Sequence, residues 1–316
     1  VVIGVALVFA ITSLLATALQ ELWSSIRSLR GKYMGRAVVS FFGDDPVFAA
    51  ITGHEMEFAS DGSFELLVSR ERPKGHRGNW LEMHPVTRYL LVRQYFADWE
   101  KESPASFQIR QLGGEGLPPA RLTPARMADL LDDAGEWVEI WAKFWTQWID
   151  QQRAAHDPAK LQPAVKCVGG GDDIYYGNDM YQLGPDEALV VEFTPPEARY
   201  WSIQLLDIWF RTMDYATRQT SLNHHQSVLD ADGRFRGVIA HRDPGVPNWL
   251  DTAGHPEGMI QYRWIWTKTN PVPSVRRVRF DEIRKALPAD TPSVTPEERR
   301  CRIAGRQAHV GRREPA

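Results

Sequence analysis

Cysteine is scarce in this chain: Cys167 and Cys301 are the two among 316 residues. They form no CxxC pair, so neither a disulfide framework nor a cysteine metal knuckle carries the fold. An excess of one charge is also lacking. The 37 Lys and Arg against 40 Asp and Glu leave a formal net charge of −3, too weak a field to recruit nucleic acid. The familiar catalytic and cofactor spacings are missing as well. No HExxH or HxH sets two imidazoles on one metal, and no GxSxG forms a nucleophile elbow. Gly169-Gly170-Gly171-Asp172-Asp173 is neither a GxGxxG turn nor a phosphate loop with Lys-Ser/Thr, and reads as a flexible turn. No cofactor, no metal and no nucleic-acid partner is implied. There is no internal repeat and no low-complexity region.

What is present begins with apolarity. Val1 to Leu19 carries no charge and is just long enough, at about 1.5 Å per residue, to span a bilayer core. Leu15, Leu19, Leu22, Ile26 and Leu29 then recur at alternating four- and three-residue steps, a helical stripe. Arg27, Arg30, Lys32 and Arg36 follow, with Trp23 and Tyr33 at the boundary, the arrangement of a membrane anchor on its cytoplasmic side. No basic n-region precedes the apolar run, which argues against a signal peptide. The expectation is a hydrophobic, membrane-proximal helix over 1–30, a linker over 31–55, and a main domain on the cytoplasmic side of the membrane. If the first segment is foreign to the rest, the location is simply cytoplasmic.

The body of the chain is expected to divide into N-terminal strands plus a long helix (56–165) and a β-rich unit (166–316). Gly62 to Ser69 follows an Asp61-Gly62 turn and reads as the second strand of a hairpin starting near Glu55. Arg88 to Trp99 reads as one long strand paired with Ser106 to Gln111. Thr123-Pro124 is a helix start, a hydroxyl N-cap followed by proline at the first helical position. From there Met127, Leu130, Leu131, Ala134, Trp137, Val138, Trp141, Phe144, Trp145 and Trp148 repeat at three and four residues to near Ala155. Core packing is the expected use of that face, with an aromatic ligand groove as the alternative.

Beyond it, strands are expected over 188–194, 200–206, 226–229, 234–241, 259–267 and 275–280, with 259–267 central, followed by a short helix over 281–287. Thr295-Pro296-Glu297-Glu298 is a capping box opening a basic helix whose arginines are expected on a solvated face. The sum is an α+β chain. It is mainly an antiparallel β-sandwich or jelly-roll-like domain, with one long amphipathic helix and the N-terminal hydrophobic helix.

One loop stands out: His241-Arg242-Asp243-Pro244-Gly245-Val246-Pro247-Asn248-Trp249-Leu250-Asp251-Thr252. It combines two prolines, a glycine, an imidazole and two carboxylates between strands. His241, Asp243 and Asp251 are the acid–base candidates. Arg218, Asn223, His224, Asn248, Trp249, Asn79 and Trp80 are the candidate substrate contacts. A metal site from His224, His241, Asp243 and Asp251 is sterically conceivable, and Ser221 beside Asn223 and His224 is a weak nucleophile signal. Two of Asp207, Asp214, Asp243 and Asp251 could flank a glycosidic bond. The competing structural account is a rigid tryptophan-anchored corner, with Arg211, Arg218 and Arg242 pairing with Asp207, Asp214 or Asp243.

These residues carry a resemblance. Gly78-Asn79-Trp80, Arg93 to Glu100, Asp186 to Leu189, Tyr200 to Leu205, Arg218 to Asn223 and the 241–252 loop are similar to bacterial proteins with domain of unknown function 1214, over about residues 56–314. The resemblance implies a β-sandwich domain without an agreed activity or accepted catalytic residues. Such domains are often encoded with a companion, unknown-function family 1254, which is not apparent in this sequence. Two readings follow. The first is a module binding an unknown small molecule or protein near a membrane. The second is an enzyme acting on a carbohydrate or other polar small molecule.

Overall fold

The computed structural model describes residues 49–313, apart from 86, 88–89, 119–120, 158–159 and 167–173. The expected N-terminal hydrophobic helix lies outside the described residues, as does Cys167. Among those described, no helix is long and apolar enough to cross a membrane.

The architecture is α+β with mostly antiparallel sheets and few helices. The first pair of strands, β1 (Leu66–Ser69) and β2 (Asn79–Glu82), is parallel. The Asp61-Gly62 turn forms, with Gly62 at φ 82°, but no strand precedes it, so the expected hairpin is absent. Nor do the described residues of 88–99 and 106–111 form strands. Tyr95 and Phe96 are buried as expected of apolar residues, yet the carbonyls of Phe96 and Ala97 accept hydrogen bonds from the Asn223 side chain at 2.9 and 3.0 Å. A side-chain amide thus takes the place of a ladder partner.

Helix α1 (Pro124–Ala155) begins where its cap predicts, with the Thr123 hydroxyl accepting from the Arg126 N–H. Its packing differs from expectation. Ile149 is its one fully buried residue, gathered with Met180, Leu206 and Met259, while Trp148 and Phe210 pack alongside. Trp145 stacks on Phe210 at 5.2 Å. Upstream, Trp137, Trp141 and Phe144 are only half-buried and are in ring contact along the helix, Trp137 lying 5.4 Å from Trp141. A helix of this length spans roughly 48 Å, and among the described residues its C-terminal turns are the part buried against the sheet.

The remaining strands form two open sheets. In the first, β3 (Val165–Lys166), β4 (Ile174–Gln182), β10 (Glu257–Thr267), β6 (Ala198–Leu206) and β7 (Ser221–Asn223) are neighbours in that order. In the second the order is β11 (Ser274–Arg279), β5 (Glu187–Phe193), β8 (Phe235–Ala240) and β9 (Trp249–Asp251). All these pairs are antiparallel except β8 with β9. The expected central strand is β10, bonded on both sides. Strand β4 escaped the sequence reading because Gly177 breaks its apolar pattern. The glycine sits opposite Tyr262, and a Cβ there would lie 2.0 Å from the phenol ring.

Period-two alternation gives each sheet an inward face. Tyr181, Trp201, Ile203, Leu205, Tyr262 and Trp264 from the five-stranded sheet share one buried cluster with Leu189, Val191, Phe193, Phe235, Ile239 and Leu250 from the four-stranded sheet. Phe193 stacks on Phe235 at 4.7 Å and meets Trp264 at 5.0 Å. Fully burying aromatics of this size contributes about 2–3 kcal/mol each. A smaller cluster lies under the other face of the four-stranded sheet. There Val190, Val238 and Trp249 meet Ile283 and Leu287, from the short helix α2 (Ile283–Ala286) and its exit.

The chain ends in α3 (Pro296–Arg313), opened by the expected capping box: the Thr295 N–H donates to Glu298, whose own N–H returns to the Thr295 hydroxyl. The solvated arginine face holds only in part. Arg299, Arg306 and His309 are buried, because the helix lies on loop backbone whose carbonyls need donors.

Candidate functional site

The connection from β8 returns the chain to the start of that strand, so that β9 runs parallel to it with Trp249 beside Val238 and Asp251 beside Ala240. Asp243 makes the turn, its carboxylate accepting from the Gly245 N–H at 2.8 Å, with Gly245 at φ 69°. Its two oxygens also take Nε and Nη2 of Arg299 at 2.9 and 3.2 Å. Arg299 goes on to donate to Gln219 at 2.7 Å and to the Val246 carbonyl, and it sits 5.2 Å from the Trp249 ring. Gln219 in turn donates to the carbonyls of Pro247 and Trp249 at 3.0 and 2.6 Å. The Arg218–His224 segment therefore folds back onto the loop and fastens it.

The other candidates near the loop are similarly engaged. His241 has Nδ1 2.7 Å from the Thr252 hydroxyl and Nε2 3.2 Å from the Leu183 carbonyl. A carbonyl only accepts, so Nε2 carries the proton and Nδ1 receives the Thr252 O–H. Asp251 is buried, bonded to Arg218 Nη1 at 2.9 Å and to the Ala253 N–H at 2.8 Å. The Asn248 side chain holds Val228 N–H and the carbonyls of Val228 and Arg236. The Trp249 indole donates to the Ala240 carbonyl at 3.0 Å. Of the expected Arg–Asp pairs, Arg211–Asp207 forms, whereas Arg218 reaches Asp251 and Arg242 reaches Asp186.

The more distant candidates do not join them. Asn223 uses its amide on the carbonyls of Phe96 and Ala97, and its oxygen on the N–H groups of His225 and Gln226. His224 packs edge-on to Tyr200, and burial holds its imidazole below the usual histidine range. Asn79 ties Glu57 to Glu65, and Trp80 donates to Ser69, both beside β1 and β2. Among the described residues, no group of three or more His, Cys, Asp and Glu side chains is placed to hold a metal ion.

A different acid–base pair faces an open space. A cleft of about 430 Å³ lies between the end of α1 and the C-terminal end of β4, lined by Arg153, His156, Met180, Tyr181, Gln182 and Glu257. Asp179 is almost wholly buried and accepts His156 Nδ1 at 2.7 Å and the Gln162 N–H at 2.9 Å. With Nδ1 donating to that carboxylate, Nε2 is left as the working nitrogen of the ring, and it has no partner among the described residues. Across the cleft, Arg153 grips Glu257 through Nε and Nη2 at 2.7 and 2.8 Å. In the sequence His156 stands just past the end of the long helix near Ala155, with no nearby residue to mark it as a site. The partner is 23 residues away on a strand that the pattern did not reveal.

Comparison with known proteins places the chain. The model described as Protein of unknown function (DUF1214) matches residues 40–98, and that described as Protein of unknown function (DUF1254) matches residues 152–285. The companion family is thus present. Asp186–Leu189, Tyr200–Leu205, Arg218–Asn223 and the 241–252 loop, read from sequence as family 1214, fall within the 1254 match. An uncharacterized protein from Burkholderia cenocepacia, solved by crystallography, is similar at 35% identity and a TM-score of 0.67, over 76% of this chain and 65% of that one. The chain thus spans just under two thirds of that relative's length. A Vibrio parahaemolyticus crystal structure shares 17% identity over 34% of this chain and 31% of that one, with a TM-score of 0.28. No curated protein matches the chain. The chain is thus similar to two families of unknown function, DUF1214 over residues 40–98 and DUF1254 over residues 152–285.

Proposed function

We propose that the chain is a binding module in which the two sheets are the layers of a β-sandwich and the 241–252 loop is a scaffold corner. In this reading the ligand is a small, polar, hydroxyl-bearing molecule held in the cleft beside His156. The observation that carries it is the unpartnered His156 Nε2, oriented by buried Asp179 at the rim of an open cleft. Glu257 and Gln182 add acceptors and a donor, a mixture suited to hydroxyl groups, which both give and take hydrogen bonds. His241, Asp243 and Asp251 are spent on closing the loop, so their contribution is stability.

The test follows the His156 ring signals by NMR while neutral monosaccharides (glucose, galactose, mannose) are added. The expected outcome is a shift of those signals and of the backbone amides of 180–182 by at least one sugar, the amide shifts being lost in His156→Ala. Signals that stay put with all three sugars reject the cleft. An enzyme reading survives only there: a base held by a second group is the geometry of general-base catalysis. Release of nitrophenol from nitrophenyl glycosides, abolished by His156→Ala, is its signature.

Proximity to a membrane rests on residues 1–30 and is proposed from their sequence. Fractionating the chain with and without those residues tests it, and equal solubility of the two removes it.

A further inference from the structure

The outward face of the five-stranded sheet carries an unusual band. In register across it stand Tyr176, Arg263, Ser202 and Asn223, with Ile265 and Tyr200 in the next row. The segment around Tyr95 lies over this band. Arg93 Nη1 donates to the Tyr176 hydroxyl at 3.1 Å, and the Arg263 guanidinium sits 5.5 Å from the Tyr176 ring. Tyr95 packs 5.3 Å from Tyr200 and 5.7 Å from Trp266, and His224 closes the other side of Tyr200 at 5.4 Å.

Three buried polar atoms here meet no hydrogen-bond partner of ordinary geometry among the described residues: the Tyr95 hydroxyl, His224 Nδ1 and Arg263 Nε. Tyr95 itself is 8% exposed. Leaving such atoms unsatisfied is costly, and buried groups of this kind normally meet a partner. Neither Arg93 nor Arg263 has an ion pair among the described residues. The charges of both reach the Tyr95 hydroxyl, and Arg93 is close enough to act on its oxygen as a donor, which leaves the O–H still in want of an acceptor. The carboxylate that acts on His224 is Glu102, and one of its oxygens already accepts the Ala97 N–H at 2.8 Å. What the cluster lacks is acceptors: Arg263 Nε–H only donates, and the Tyr95 O–H can donate. The walls are aromatic rings.

We infer that this cluster is a binding site for a small carboxylate-bearing molecule, its oxygens accepting from Arg263 Nε–H and the Tyr95 hydroxyl and its apolar part lying among Tyr95, Tyr200 and Trp266. The site is separate from the cleft beside His156 and does not rest on that reading.

Titration of the full chain with benzoate, and separately with inorganic phosphate, tests it by calorimetry and by thermal melting. Benzoate is expected to bind and to raise the melting temperature. Tyr95→Phe removes one orphaned hydroxyl, so its ligand-free melting temperature should be unchanged or higher, while its benzoate affinity falls about tenfold or more. Arg263→Gln should abolish the response; if that variant does not fold, Tyr95→Phe decides. Absence of any benzoate response, as when buried water satisfies the three atoms, overturns the proposal. So does a response that Tyr95→Phe and Arg263→Gln both retain. Binding of phosphate with benzoate ignored overturns the carboxylate assignment.

Discussion

Arg299 shows what single residues do in this molecule. Its guanidinium is buried and joins Asp243, Gln219 and the Val246 carbonyl, so one side chain fastens α3 to two stretches that are distant from it in sequence. Removing one partner of such a set leaves the rest buried and unpaired, at a cost of about 3–5 kcal/mol. Arg299→Ala is therefore expected to lower the urea midpoint sharply, by more than Asp243→Asn, which keeps a turn-forming oxygen. His309 acts through its proton. It is fully buried, stacked 4.9 Å from Trp99, and accepts from Arg313 Nε at 2.6 Å. Burial first, then the charge of Arg313, pushes its imidazole down to about 4 from an ordinary 6.5. Between those values the unfolded chain binds a proton that the folded chain refuses, so stability falls as pH drops from 6.5 towards 4. The loss is about 3 kcal/mol at most. Urea midpoints measured at pH 7 and pH 5 should differ, and His309→Gln should flatten that difference. A residual slope of the same sign is expected from His224, whose imidazole is also held low by burial.

At the scale of elements, α1 is divided. Its last turns bury Ile149 against Met180, Leu206 and Met259, with Trp145 and Trp148 on Phe210. In the upstream turns Trp137, Trp141 and Trp145 also meet one another along the helix. Such i, i+4 pairs stabilise a helix by only tenths of a kcal/mol. Trp148→Ala is thus expected to cost about 3 kcal/mol, and Trp137→Ala about 1 kcal/mol or less. Amide exchange should be slow over 146–155 and much faster over 124–140. Uniform protection along the helix would show that the upstream face is covered. The helix itself was legible, from the Thr123-Pro124 start to the end near Ala155, because capping and 3.6-residue periodicity are local properties. Its packing was not, because periodicity reports that a face is apolar and says nothing of what meets it. Strand β4 hid for the converse reason. Gly177 is needed where the Tyr262 ring crosses the strand, a requirement set by another strand entirely.

At the scale of the whole molecule, α3 is a clasp. Arg306 donates to the Tyr215 and Ser221 carbonyls, Arg312 to the Trp99 carbonyl, and Arg299 to the 241–252 loop. Removing residues 295–313 is therefore expected to loosen both the loop and the segment near Trp99. Limited proteolysis should then cut within 93–102 and 241–248, sites protected in the intact chain, and the melting temperature should fall. An unchanged cleavage pattern would mean that the two sheets hold those segments without the helix.

The amino-acid sequence by itself determined the elements whose signals are local: the α1 start, the capping box of α3, the alternation of β10, and the prolines and glycine that stiffen the 241–252 loop. It also carried the family resemblance. Only the tertiary structure decided what those elements face. It set Arg299 rather than Arg242 on Asp243, and closed His241 and Asp251 into the loop. It paired His156 with Asp179 across 23 residues, and gathered Tyr95, His224 and Arg263 from three distant stretches. The physical reason is range. Caps and periodicity act within one or two turns of chain, whereas a buried charge or an orphaned hydroxyl is answered by whichever group the folded sheets bring within about 3 Å.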